Sequence, residues 1–261
     1  MDFLDFLPYA VSRQGLENRL NMRWREWCQE NVQPHLWQQA YPVFDGVIAP
    51  RYNEKNRKYH TLEHIADCLQ KIDDVALVWK KGNLDNPENY LSSRTAPVLE
   101  LAFWFHDIVY DTHRHDNEEQ SVTIMQEVAA LLQLPESFSK EAAELILCSQ
   151  IKAVPQNDLQ KLQKDIDYSI MGSPASMYDV YAKGIREENN WVEEQFGKEV
   201  YQMKRANFLE KTLKRAEEQG LFYTRYFQNM YGAAARENIK RELKTLRGER
   251  DERNEKNELK K

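Results

Sequence analysis

The sequence predicts an all-α protein. Nine glycines in 261 residues, and the lack of alternating Val, Ile and Thr runs, leave strands without support. Apolar residues recur instead at i, i+3 and i+4 in several long stretches, the spacing of a helix with one face in a core. No composition break divides the chain. The reading is therefore a single helical domain over residues 24–246, with a helical extension at 1–23 before it and a charged tail at 247–261 after it.

The elements follow in order. From Ile65 the series Ala66, Leu69, Ile72 and Ala76 marks a core-facing stripe, ended by the stretch from Gly82 to Pro87. Residues 97–110, PVLELAFWFHDIVY, are apolar on every side, which predicts a central buried helix with Pro97 in its first turn. Helices are expected over 118–133, closed by Pro135, and over 140–153, with Ser139 as N-cap and Glu141 in the first turn. Another runs over 158–171 and stops at Gly172. Ser173 and Pro174 then open a helix that reaches Phe196 before Gly197, and two more span 199–219 and 228–246. The last fifteen residues, RGERDERNEKNELKK, mix both charge signs and cannot bury a face.

Composition excludes several roles. A net charge of -6 argues against a nucleic acid polymer as partner, since such binding rests on clustered Lys and Arg. No apolar run reaches the roughly 18 residues of a membrane span, and MDFLDFLPYA lacks the basic start of a signal peptide. Cys28, Cys68 and Cys148 form no CxxC pair or disulfide framework, so a reducing cytoplasm is the expected compartment. No GxSxG, Walker loop or GxGxxG is present, so serine hydrolase, nucleotide-loop and dinucleotide readings have no footing.

The chemistry centres on two motifs. In HTLEH, His60 and His64 stand at i and i+4, on one side of a helix and on the flank of the apolar stripe. Alone, two histidines at a core edge decide little. His106 and Asp107 stand within the all-apolar stretch, where an ionised carboxylate without a partner costs several kcal/mol. A salt bridge to Arg or Lys would satisfy Asp107. A metal that takes His64, His106 and Asp107 together accounts for both motifs at once. A fourth carboxylate is expected from KDIDYSIMG, where Asp165 and Asp167 point about 200° apart on a helix, so only one can face the same ion.

This ordered set resembles the metal-dependent HD superfamily of phosphohydrolases. The match is to the predicted members with a YxExxRxYHxxxHI signature, here Tyr52, Glu54, Arg57, Tyr59, His60, His64 and Ile65. It continues as FHDIVYD at 105–111, DNEEQS at 116–121, DIDYSIMG at 165–172 and YAKGIREE at 181–188, and covers the chain from Trp24 to Leu246. The resemblance implies an HD-type helical bundle, a small phosphoester such as a nucleotide as substrate, and metal ligands at His64, His106, Asp107 and a late Asp. Asp167 is chosen by likeness to related HD nucleotidases. Likeness to cyclic nucleotide phosphodiesterases makes His60 a proton donor to the leaving oxygen, not a ligand, which suits an imidazole titrating near neutral pH.

Arg51, Lys55, Arg57 and Lys58 form a basic cluster, in which Arg57 can grip a phosphate in a two-bond fork while Lys55 and Lys58 read as solvated charge. Glu118 or Asp111 can orient the attacking water, and Asn117 lies beside them, although helix capping explains these residues equally. His113 and His115 can extend the site to a second metal or lie at the surface; His35 has no context. In LILCSQ, at 145–150, relatives tend to carry a Thr and often a His, whereas this chain has Ser149 and Gln150, which leaves one metal per chain as the expectation. The mixed His and Asp set suits Mn, Fe, Co, Ni or Zn better than Mg. Two alternatives stand beside hydrolysis. One is a non-catalytic nucleotide- or metal-binding module. The other is an HxxEH metalloprotease, with Glu63 as base and Glu141 or Glu144 as a third ligand.

Overall fold

The computed structural model describes residues 12–80 and 91–248. The expected N-terminal extension up to residue 11, the helix stop at Gly82 to Pro87 and the tail from 249 lie outside the described residues. All regular structure among the described residues is helical, as the glycine count and periodicity predict, and no helix there is long and apolar enough to cross a membrane. The chain divides into two compact units, Met1–Asp167 and Tyr168–Lys261.

The first unit opens with α1 (Arg13–Asn31), capped by the Ser12 hydroxyl, which accepts from the Gly15 amide. Short turns follow: a 3-10 turn at Pro34–Leu36, α2 (Trp37–Ala40), a π-helical turn at Phe44–Ile48 and α3 (Ala49–Tyr52). Sequence periodicity gives no sign of them, because segments of three to five residues are too short to repeat. Then come α4 (Leu62–Lys80), α5 (Thr95–Phe105), α6 (Asn117–Leu131), α7 (Glu136–Cys148) and α8 (Asp158–Tyr168). The last described residues of this unit belong to α8.

The core of this unit is aromatic. Trp24 stacks on Trp27 and meets Trp104 edge-on, with ring centroids 5.2 and 5.8 Å apart, while Phe44 meets Trp104 edge-on from the other side. The indole nitrogens of Trp24 and Trp27 donate to the carbonyls of Ala40 and Pro97, whereas the buried indole nitrogen of Trp104 has no hydrogen-bond partner. Arg23 on α1 joins three helices, donating to Asp73 on α4 and Glu100 on α5 at 2.6 and 2.9 Å. These contacts hold α4 and α5 at a fixed spacing, and the site lies at their ends.

Helix limits in this unit differ from expectation most clearly at α5 and α7. α5 stops at Phe105 and does not continue to Tyr110, so His106 and Asp107 occupy the turn after the helix and not its middle. α7 begins at Glu136, with Pro135 at the cap position in an extended conformation, so Ser139 lies inside the helix.

The second unit contains a 3-10 turn at Ser169–Gly172, then α9 (Ala175–Glu188), α10 (Asn190–Phe196), α11 (Lys198–Gln219) and α12 (Arg225–Leu246). The single helix expected from Pro174 to Phe196 breaks at Asn189, whose amide bonds back to the Ile185 and Arg186 carbonyls. The buried Arg205 donates to Glu242 at 2.8 Å, and the Tyr178 hydroxyl donates to the same carboxylate, tying α9, α11 and α12 together. Asn238 donates to the carbonyls of Met171 and Ser173, which fastens the 3-10 turn to α12. Cys28, Cys68 and Cys148 are all buried and unpaired.

Candidate metal centre

The site is built where three helix ends of the first unit meet. α4 starts at Leu62, so His60 precedes the helix and only His64 lies within it. The HxxxH pair is therefore not a helical i, i+4 pair: the Thr61 amide bonds the Tyr59 carbonyl in a tight turn, and the Thr61 carbonyl then accepts the first helical bond, from Ile65. The turn sends the two imidazoles into different surroundings. His64 is buried and points inward, while His60 stacks on Tyr110, with ring centroids 3.9 Å apart, and keeps partial exposure.

His64, His106 and Asp167 form a group that can hold a metal ion, with ligand atoms all within 4.8 Å of one another. The two imidazoles face each other through Nε2 at 3.2 Å. Asp167 brings Oδ1 to 3.3 Å from His64 Nε2 and 3.8 Å from His106 Nε2. Asp107, expected as a ligand, is not a member of that group but lies beside it, with Oδ2 at 3.0 Å from His106 Nε2 and 3.7 Å from His64 Nε2. Nitrogen and oxygen ligands sit about 2.0–2.2 Å from a transition metal, so neighbouring ligand atoms around one ion should be about 3.0–3.4 Å apart. The contacts between 3.0 and 3.3 Å fall on that spacing, and the longer pair needs a shift of less than half an ångström.

The donor chemistry passes the same test. His106 donates from Nδ1 to the Phe103 carbonyl at 3.0 Å, which leaves Nε2, the atom facing the group, to carry the lone pair of the neutral ring. The group's two neutral imidazoles and the Asp167 carboxylate, with the Asp107 carboxylate beside them, carry two negative charges, which a divalent cation would balance.

The electrostatics of the metal-free cluster show the same demand for positive charge. Burial pushes the Asp107 carboxyl up, but the His106, His60 and His64 rings outweigh it and hold the acid well below the usual carboxylate range. Asp167 behaves alike: burial raises it, and hydrogen bonds from His106 and His64 bring it down further than burial lifts it. Burial would lower the His106 imidazole, yet Asp107 and Asp167 hold it well above its ordinary value. Without a metal, a proton on His106 supplies the missing cation.

Other expected residues take varied positions. Asp165 is buried on α8 but is not in the group, so of the two late carboxylates Asp167 is the one beside the histidines. Glu118, in the first turn of α6, is half-buried; burial first and the Asp107 carboxylate after it raise its carboxyl. Asp111 turns away: its Oδ1 accepts from the amide and the Nδ1 of His113, and Asn117 brackets its main chain. His113, His115 and His35 are exposed. Lys55, Lys58 and Arg51 are exposed too, and Arg51 lies 3.7 Å from the Glu54 carboxylate.

Arg57 departs furthest from its expected use. Its side chain is wholly buried, and its donors go to the Glu54 carboxylate and to the carbonyls of His60, Asp107 and Ile108. The fork expected to grip a phosphate is spent on the protein.

Three residues escaped the sequence reading. Tyr110 supports His60 and was visible only as part of FHDIVYD. Cys68, one turn after His64, brings Sγ to 3.8 Å from its ring. Gln163 lies one turn before Asp167 on α8, and neither atom of its buried amide has a hydrogen-bond partner. The i, i+4 spacing from Asp167 was the available signal. No protein-family model matches this chain, and no curated protein or solved structure matches it either.

Proposed function

We propose that the chain is a metal-dependent phosphohydrolase of the HD type, acting on a small phosphoester, with a nucleotide as the leading class. One observation carries this reading: two buried imidazoles meet Nε2 to Nε2 at 3.2 Å, flanked by the carboxylates of Asp107 and Asp167. His64, His106, Asp107 and Asp167 are the ligands of one divalent ion. Manganese, iron, cobalt, nickel or zinc suits this mixed set. When bound, such an ion polarises a phosphoryl oxygen and lowers the pKa of water, supplying hydroxide near neutral pH.

The chain's own residues do the rest. The turn before α4 leaves His60 partly exposed beside the cluster, with its ring held flat against Tyr110. From there it gives its proton to the departing ester oxygen as the phosphorus–oxygen bond breaks and water's oxygen bonds to phosphorus. The water proton returns the ring to its starting state. Glu118, with its carboxyl raised, orients the water. The HxxEH protease reading draws less support, since Glu141 binds Arg94 at 2.5 Å and the metal-holding group contains neither His60 nor Glu141.

The test is metal content by elemental analysis of wild type, His64→Ala, Asp107→Ala, Glu63→Gln and Glu141→Ala, followed by turnover of a phosphomonoester, phosphodiester and pyrophosphate panel. Expected is near-stoichiometric metal in wild type, Glu63→Gln and Glu141→Ala, loss in the other two, and turnover that tracks the metal. Bound metal with no turnover on any panel member would favour a binding module instead. Metal retained in Asp107→Ala but lost in Glu141→Ala would favour the protease.

A further inference from the structure

A helix leaves its last carbonyls without intrahelical partners, and the end of α5 is where the His106 and Asp107 dyad sits. These carbonyls are paired one by one. Phe103 accepts from His106 Nδ1 at 3.0 Å, Trp104 from the Tyr52 hydroxyl at 3.1 Å, and Phe105 from the Ile108 amide at 3.1 Å. Asp107 and Ile108 then accept from Arg57, through Nη1 at 2.6 Å and Nη2 at 3.0 Å. The same Nη1 donates to the His60 carbonyl at 3.2 Å. One guanidinium thus bonds the main chain of both segments that carry the histidines.

Its surroundings fix it there. The Arg57 side chain has no exposure, Glu54 balances its charge at 3.1 Å, and its charged carbon lies 5.1 and 5.7 Å from the ring centres of Tyr52 and Tyr110. A cation at a helix C-terminus is also favoured by the partial negative charge of the carbonyls.

We propose that Arg57 is the positioning residue of the metal centre: it clamps His60 and the Asp107–Ile108 turn into one register, so that His64 meets His106 and Asp107. Tyr52 completes the clamp by holding the preceding turn of α5. Arginine is required because the task uses several donors of one planar group in fixed directions, which the single ammonium of lysine cannot reproduce. The inference rests on the metal-centre reading, and the experiment separates the two.

Full-length protein, stripped of metal, is titrated with Mn2+ in a calorimeter for wild type, Arg57→Lys, Tyr52→Phe and Leu132→Ala. Leu132 is buried in the same unit but takes no part in the clamp, so its variant reports on lost stability alone. Expected is a fall in Mn2+ affinity of about 10-fold or more in Arg57→Lys, a smaller fall in Tyr52→Phe, and none in Leu132→Ala. Equal affinities in the Arg57 and Leu132 variants would overturn the clamp. Should Arg57→Lys fail to fold, an unchanged affinity in Tyr52→Phe would overturn it. Should wild type take up no Mn2+, the metal reading fails, and hydrogen exchange decides the clamp. The Ile108 amide should then exchange about 10-fold faster in Arg57→Lys or Tyr52→Phe than in Leu132→Ala, and equal protection overturns the proposal.

Discussion

At the scale of single residues, the two most informative side chains lie near the metal-holding group without belonging to it. His60 sits outside the metal-holding group, so Asn at this position removes the proton donor and leaves the ligand set alone. We expect His60→Asn to keep its metal and to lose about 10²- to 10⁴-fold in kcat on phosphoesters with poor leaving groups. Esters with acidic leaving groups, which need no proton, should lose far less; an equal loss on both would remove His60 from this role. Gln163 poses a different question. Its amide nitrogen and oxygen are both buried and unpartnered, and each such group costs about 1–3 kcal/mol of stability. Methionine has nearly the same shape and no such groups. Gln163→Met should therefore melt at a higher temperature than wild type in the metal-free state, and an unchanged or lower melting point would mean that the amide finds a partner in solution.

At the scale of elements, the close approach of the 3-10 turn to α12 gives a test within the second unit. A Cβ added at Gly172 would lie 2.5 Å from both the Cβ and the carbonyl oxygen of Tyr231. Backbone cannot yield as a flexible side chain does, and the Asn238 bonds to Met171 and Ser173 fix the same approach. Gly172→Ala should cost about 1–3 kcal/mol, read as a lower urea midpoint. In the sequence Gly172 reads only as a helix stop. The same limit explains the other elements. Long periodic stretches such as α4, α6 and α11 are legible because burial of one face is a local pattern. The end of α5 is not legible, because it is fixed by Arg57, fifty positions earlier in the chain, taking the carbonyls of Asp107 and Ile108. The grouping of side chains was more legible than helix limits: His64, His106 and Asp167 stand out by residue type and spacing and do come together, whereas the turn that diverts His60 depends on where α4 begins. The expected phosphate role of Arg57 arose from the same gap, since sequence shows a basic cluster and not which members are buried.

At the scale of the molecule, the cluster links stability to pH and to metal, and the signs can be worked out for the metal-free protein. His106 has its imidazole raised, so its contribution is fully present below the ordinary value of about 6.5 and is lost as pH rises through the folded value. Asp107 and Asp167 are depressed, so their contribution is present above about 3.9 and is lost only in strong acid. Between these limits all three groups favour the folded state. A bound cation replaces the His106 proton, so metal affinity should rise with pH over the range where stability of the metal-free form declines. All four proposed ligands lie within Met1–Asp167. At a free metal concentration 100 times Kd the gain is about 2.7 kcal/mol, which for a domain of this size is a rise of about 5–10 °C. Melting curves of chelator-treated and Mn2+-loaded protein from about pH 6 to about pH 9 should therefore diverge as pH rises, the metal-free curve falling and the loaded one holding. Histidine protonation in the metal-free cluster is the cause of the divergence, and a constant gap between the two curves would show that His106 carries no proton there.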